Sequence, residues 1–231
     1  MRLALTLLAA LAGLALLLSL GVWQLQRLDW KEGVLADLDA RLYGAPEPLP
    51  ARPDPERDLY APVRLAGTIG PEELRVIASA KGVGPALRLV SPFETEDGRR
   101  LLLDRGVVPV AEEDAPRPSG RATVLGNLHW PRERDRWTPA DDPEGNVWYA
   151  RDAEAMAAAL GTEPVMVVAR EVAMASGEAP GVQPLPLDTA GIPNDHLGYA
   201  ITWFGLAAGW AAMTAAFLWR GRAAARPPRA A

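Results

Sequence analysis

Residues 3–22 read LALTLLAALAGLALLLSLGV, and residues 199–218 read YAITWFGLAAGWAAMTAAFL. Each run is 20 residues long and holds no charged side chain. At 1.5 Å of rise per residue, a helix of that length reaches roughly 30 Å, the hydrocarbon thickness of a bilayer. A cytosolic core helix has no use for so long an uninterrupted apolar surface. Both runs are therefore read as membrane-spanning helices. A cleaved signal peptide is the competing reading of the first, encouraged by Arg2. Against it, the run exceeds a usual h-region and no clear A-x-A site follows.

Orientation follows from arginine. Arg220, Arg222, Arg226 and Arg229 follow the second run with no acidic residue among them, whereas the nearest basic residue before it is Arg170. The positive-inside rule places the C-terminus in the cytoplasm, and two spans put the N-terminus there too. Around the first run Arg27 and Lys31 outweigh Arg2; the larger bias at the second helix decides.

Between the spans the character changes. All 29 acidic residues lie from Asp29 to Asp195, together with 18 basic ones, so this stretch carries a net charge of −11. The whole chain averages this away: 231 residues, net charge −5 and a mean hydropathy of −0.02. An acidic middle domain argues against a nucleic-acid partner held by phosphate contacts. Cysteine is absent. That removes disulfide frameworks, thiolate metal sites, thiol nucleophiles and covalent C-x-x-C-H haem attachment. Only two histidines, His129 and His196, are present, so no multi-histidine cage is available.

Local patterns give the middle domain its class. Val34, Leu35, Leu38 and Leu42 sit at helical spacing and extend the first helix through Leu42. Five prolines from Pro46 to Pro55 make an irregular linker. Residues 63–69 alternate as a half-buried strand, 74–79 is its partner, and 86–93 with 100–110 flank the hairpin signal Asp97-Gly98. Strands are also expected over 122–128, 146–150 and 165–172, with a helix over 153–160 capped by Asp152 and stopped by Gly161. The expected fold is membrane α+β: two transmembrane helices flanking a mostly antiparallel β-rich extracytoplasmic domain with one or two helices. Its divisions are 1–27 for transmembrane helix 1, 28–195 for the extracytoplasmic domain, 196–219 for transmembrane helix 2 and 220–231 for an Arg-rich cytoplasmic tail. Ala9-x-x-x-Gly13 and Gly205-x-x-x-Gly209 offer small-residue faces for packing the two helices.

Chemistry-bearing motifs are scarce. Phosphate-loop, elbow-serine and zincin patterns are all absent. Asp104-Arg105 reads as a structural ion pair or turn, His129 as a loop or sheet-edge residue, and Trp130, Trp137 and Trp148 as core and rim. His196 stands at the outer mouth of the second run, in Pro193-Asn194-Asp195-His196-Leu197-Gly198-Tyr199. A neutral imidazole there can give an electron pair to a haem iron. The plainer reading is a helix start, with Asn194 or Asp195 as N-cap and His196 hydrogen-bonding at the interface.

Five segments, spread almost end to end, resemble one family. Leu20-Gly21-Val22-Trp23-Gln24-Leu25-Gln26-Arg27-Leu28-Asp29-Trp30-Lys31 is similar to a G-x-W-Q-x-x-R-x-x-W-K signature, and Tyr60–Gly67 to a Y-x-x-V-x-x-x-G strand. Leu101–Pro109 resembles an L-V-x-R-G-W-V-P segment, Asn146–Tyr149 precedes a helix, and Pro193–Phe204 resembles N-x-H-x-x-Y-A-x-x-W-F. These are marks of the surfeit locus protein 1 family, membrane assembly factors for haem-copper cytochrome c oxidase. Val107 departs from its tryptophan, Asp195 from an asparagine and Gly198 from a glutamine.

The resemblance implies non-enzymatic work in a bacterial inner (plasma) membrane. The task would be binding haem a non-covalently and transiently, and aiding its insertion into cytochrome c oxidase subunit I. It implies His196 as an axial ligand of the haem iron. For a haem lying against the outer half of the spans, Tyr199, Trp203 and Phe204 are the expected wall residues, with Trp23 facing them from the first span. Oxidase subunit I is the implied partner, with haem a synthase a second candidate. Two alternatives stand beside this: a scaffold that holds subunit I without touching haem, through Trp23, Arg27 and Trp30, and an extracytoplasmic enzyme using Asp104 or Asp141.

Overall fold

Leu101, Leu102 and Leu103 are each fully buried. Side chains alternate across a strand, so such a run needs cover on both faces. In the computed structural model of the chain, which describes residues 2–224, these leucines lie on the middle strand of a seven-stranded sheet. Arg226 and Arg229 of the basic tail lie outside the described residues. The strands are β1 (Pro62–Ile69), β2 (Leu74–Ala80), β3 (Gly84–Thr95), β4 (Arg100–Pro109), β5 (Gly120–His129), β6 (Val147–Trp148) and β7 (Met166–Met174). They lie side by side in the order β1-β5-β7-β4-β3-β2-β6.

As the hairpin spacing leads one to expect, most pairings are antiparallel. Two are parallel: Leu102–Asp104 of β4 against Met166–Val168 of β7, and a two-residue contact of β2 with β6. β1 also pairs with β3, Gly67–Ile69 against Phe93–Thr95, so β1, β5, β7, β4 and β3 close on themselves. Gly67 permits that closure. A Cβ there would lie 2.2 Å from the Glu94 carbonyl oxygen and 2.8 Å from the Phe93 ring.

The closed strands bury one cluster that includes Val63, Phe93, Leu101, Leu103, Val124, Leu128 and Val167. Leu102, Met166 and Val168 face the other way, into a cluster completed by Trp148 and by Ala153, Met156 and Ala157 of α2 (Ala153–Leu160). α2 begins and ends where its sequence directs. The Asp152 carboxylate accepts from the Glu154 and Ala155 amides, and Gly161 closes the helix at φ 64.

Two long helices complete the chain: α1 (Arg2–Leu42), unbroken through the amphipathic stretch, and α3 (His196–Ala224). Both contain segments long and apolar enough to cross a membrane, Ala4–Leu42 and His196–Arg220. Residues up to 37 and from 189 form one compact unit, and residues 38–188 form the other.

In the helical unit α1 and α3 pack antiparallel. Phe204 lies where a Cβ on Gly21 would be 2.7 Å away, and the Trp210 ring lies 2.9 Å from such an atom on Gly13. Trp210 Nε1 donates to the Ala10 carbonyl at 2.9 Å. Ala200 and Ala207 are buried on the same stripe of α3. Gly205 and Gly209 are exposed and touch nothing at their Cβ positions. The expected glycine face of the second helix is therefore not the packing face. A 3.6-residue period that puts Ala200, Phe204 and Ala207 inward turns Gly205 and Gly209 outward.

Candidate functional site

α3 starts at His196. The Asp195 carbonyl accepts the first helical bond from the Tyr199 amide at 3.2 Å, so Asp195 occupies the cap position through its backbone. His196 is half-buried. Its Nδ1 lies 2.8 Å from Oε1 of Gln24 on α1. Gln24 itself is 8% exposed, a polar side chain buried in the apolar seam between the helices. Nδ1 is thus committed to a neighbour, and among the described residues no such bond engages the other ring nitrogen, Nε2.

The aromatic residues near this histidine separate into two groups. Trp203 and Phe204 are half-buried, and Phe204 covers Gly21. Tyr199 and Trp23 are 57% and 49% exposed. On a helix, Tyr199 and Trp203 are neighbours at i, i+4, one row aside from the packed seam. Trp23 likewise stands beside Gln24 and outside the seam. Farther along α1 the Arg27 guanidinium lies 4.3 Å over the Trp30 ring. An apolar groove of about 580 Å³, lined by Leu5, Ala9, Trp210, Met213 and Phe217, opens between the helices. Trp210 follows His196 by fourteen residues, roughly 20 Å along the axis, so this groove is a separate feature.

In the β unit the polar residues form closed ion clusters. Asp104 is fully buried and accepts from Arg88 Nε at 2.6 Å and from Arg151 Nη1 at 2.8 Å. Arg151 also binds Glu133, and Arg88 reaches on to the Leu185 carbonyl at 2.9 Å. Burial works to raise the Glu133 carboxyl, but the hydrogen bonds and charge of Arg151 outweigh it and hold the group below its usual range. Arg105, next in sequence, bonds the carbonyls of Pro118 and Pro180. Burial pulls the Arg105 guanidinium down, with Glu73 opposing and Arg117 assisting.

Gly106 follows, at φ 116, and a Cβ there would lie 2.0 Å from the Gln183 carbonyl oxygen. The Arg-Gly pair therefore lets the segment after β7 cross β4. The expected structural role of Asp104-Arg105 is found, but each residue has its own partners.

His129 ends β5 and stacks on Tyr60, with ring centroids 5.7 Å apart. Burial, then the charge of Arg151, lowers its pKa from 6.5 to about 4. Trp148 is in the core, Trp130 packs at its edge and Trp137 is exposed in a loop under Arg136. Asp141 is paired with Arg134 and accepts from the Tyr149 amide. Among the described residues no group of three or more His, Asp or Glu is placed to hold a metal ion.

The residue that sequence reasoning left without a role is Gln24. One signal pointed to it: an uncharged polar side chain just past the apolar run, at helical spacing from Gly21. Its partner is 172 positions away and only the helix register reveals it.

Residues 11–208 match the model of the SURF1 family. The surfeit locus protein 1 of Homo sapiens is 31% identical over 212 residues, which cover 82% of this chain and 69% of the human protein. That of Mus musculus is 31% identical over 231 residues, covering 90% and 72%. The SURF1-like protein of Monosiga brevicollis is 31% identical over 208 residues, covering 82% and 78%.

Proposed function

The chain belongs to the SURF1 family, and from that premise we propose that it is a bacterial assembly factor for haem-copper cytochrome c oxidase, binding haem a through His196 and aiding its insertion into subunit I. The observation that carries this reading is the setting of His196. It heads an apolar helix, half-buried, with Nδ1 occupied by Gln24 and Nε2 left as the one nitrogen able to give a lone pair. Haem a, when bound, supplies an iron that accepts such a pair.

The residues present fit that group. Among the described residues one imidazole nitrogen has no hydrogen-bond partner, and Tyr199, Trp203 and Trp23 stand on the outer rows of the two helices. A single neutral ligand beside an open apolar wall suits a protein that must release its cargo, since a closed cage of ligands would retain it. Phe204, seated on Gly21, sets how closely the helices approach.

In this reading both termini are cytoplasmic and the acidic β domain is periplasmic, held at the inner membrane by the two helices. Haem a synthase is then the second partner, as the donor. A non-enzymatic role is supported by the setting of Asp104 and Asp141, each held in an ion pair with arginine.

The scaffold reading has one observation of its own. Trp23, Arg27 and Trp30 form an exposed aromatic and basic stripe on α1, with Arg27 stacked on Trp30. The two readings part on one experiment: full-length protein purified from cells that make haem a. A carrier brings haem a with it and loses most of it on His196→Ala; a scaffold brings none.

A further inference from the structure

A neutral imidazole has one N–H and one lone pair, and a ligand must present the lone pair to the metal. Which nitrogen does so is settled by what the other one bonds to. At His196 the facing atom is Oε1 of Gln24, 2.8 Å from Nδ1. A carboxamide oxygen can only accept, so it requires the proton on Nδ1 and leaves the lone pair on Nε2. Burial strengthens this demand, because an amide enclosed at 8% exposure has little water to turn to.

Gln24 is held in place as well. Gly21, one turn before it, lies against Phe204, and the same seam continues through Gly13 and Trp210.

We infer that Gln24 is a positioning residue: it fixes His196 in the Nδ1–H tautomer and orients its Nε2 outward as the metal-binding atom. The assignment of the tautomer stands on the apoprotein; its consequence for haem a rests on the reading of His196 as the iron ligand. Gln24→Glu keeps the size and the acceptor and should preserve the arrangement. Gln24→Leu keeps the bulk, removes the acceptor and frees the ring to rotate and to take the Nε2–H form.

The chain has only two histidines, so ¹⁵N-histidine labelling of the full chain in detergent yields two imidazoles, and His129→Gln identifies which is which. The expected spectrum shows His196 as Nδ1–H in wild type and Gln24→Glu, shifting toward Nε2–H in Gln24→Leu. A wild-type His196 already in the Nε2–H form overturns the inference. Haem a titration of the same proteins is the second readout. Gln24→Leu should weaken binding about 10- to 100-fold, the usual effect of losing a partner behind a ligating histidine, while Gln24→Glu binds as wild type. Equal affinity of wild type and Gln24→Leu overturns the positioning role. His196→Ala binding haem a undiminished overturns the ligand reading instead, and the imidazole spectrum still decides the role of Gln24 in the tautomer.

Discussion

At the scale of single residues, the two histidines have opposite surroundings. His129 sits against Tyr60 in the β unit, where burial and Arg151 hold its pKa at about 4 against 6.5 for the free side chain. The folded chain therefore binds this proton more weakly than the unfolded chain. Above pH 6.5 the difference has no effect; as pH falls below 6.5 stability is lost, until the loss levels off near pH 4. It amounts to at most about 3 kcal/mol, less whatever water reaches the half-buried ring. Unfolding of the full chain in detergent at pH 7.5 and pH 4.5 should show a smaller drop for His129→Gln than for wild type. Equal drops would contradict the assignment. His196 was legible from sequence because histidine is so scarce and one copy stands at a membrane boundary. Gln24 was not, because its role exists only once its helix comes into register with that of a residue 172 positions away.

At the scale of elements, legibility followed locality. α2 was readable from Asp152 to Gly161 because its caps are within the segment, and the β3–β4 hairpin because Asp97-Gly98 marks its turn. The parallel pairing of β4 with β7 was not, since it joins segments some 60 residues apart with no turn signal between them. The helix seam was misplaced on α3 only, since Gly13 of α1 does lie in it, and for a different reason. Small residues recur on several faces of an alanine-rich helix, and Gly205-x-x-x-Gly209 lies on a face that the packing leaves open. A pair of substitutions tests this assignment. Gly21→Leu drives a side chain into Phe204 and should cost about 1–3 kcal/mol, as overpacking does. Gly205→Leu, with open space around it, should stay within about 0.5 kcal/mol of wild type. Tryptophan fluorescence during SDS unfolding reads both, and similar losses in the two variants would contradict the seam described above.

At the scale of the molecule, charge and hydropathy divide the labour: two apolar runs, a stretch of net charge −11 from Asp29 to Asp195 between them, and arginines after the second run. This division was legible from composition alone, whereas the closure of five strands through Gly67 was not, because it depends on a contact between strands rather than on any one pattern. The absence of native cysteine makes topology directly measurable. A single cysteine at Glu144→Cys should react with a membrane-impermeant maleimide from the periplasmic side, and one at Ala231→Cys only after lysis; the reverse pattern would contradict the orientation. The central claim is that this chain carries haem a on His196, and the visible absorption spectrum of the full-length protein purified from cells producing haem a tests it most directly. The account predicts a haem a spectrum for wild type and its near loss for a folded His196→Ala protein; a wild type without haem a, or a variant with an undiminished spectrum, would contradict it.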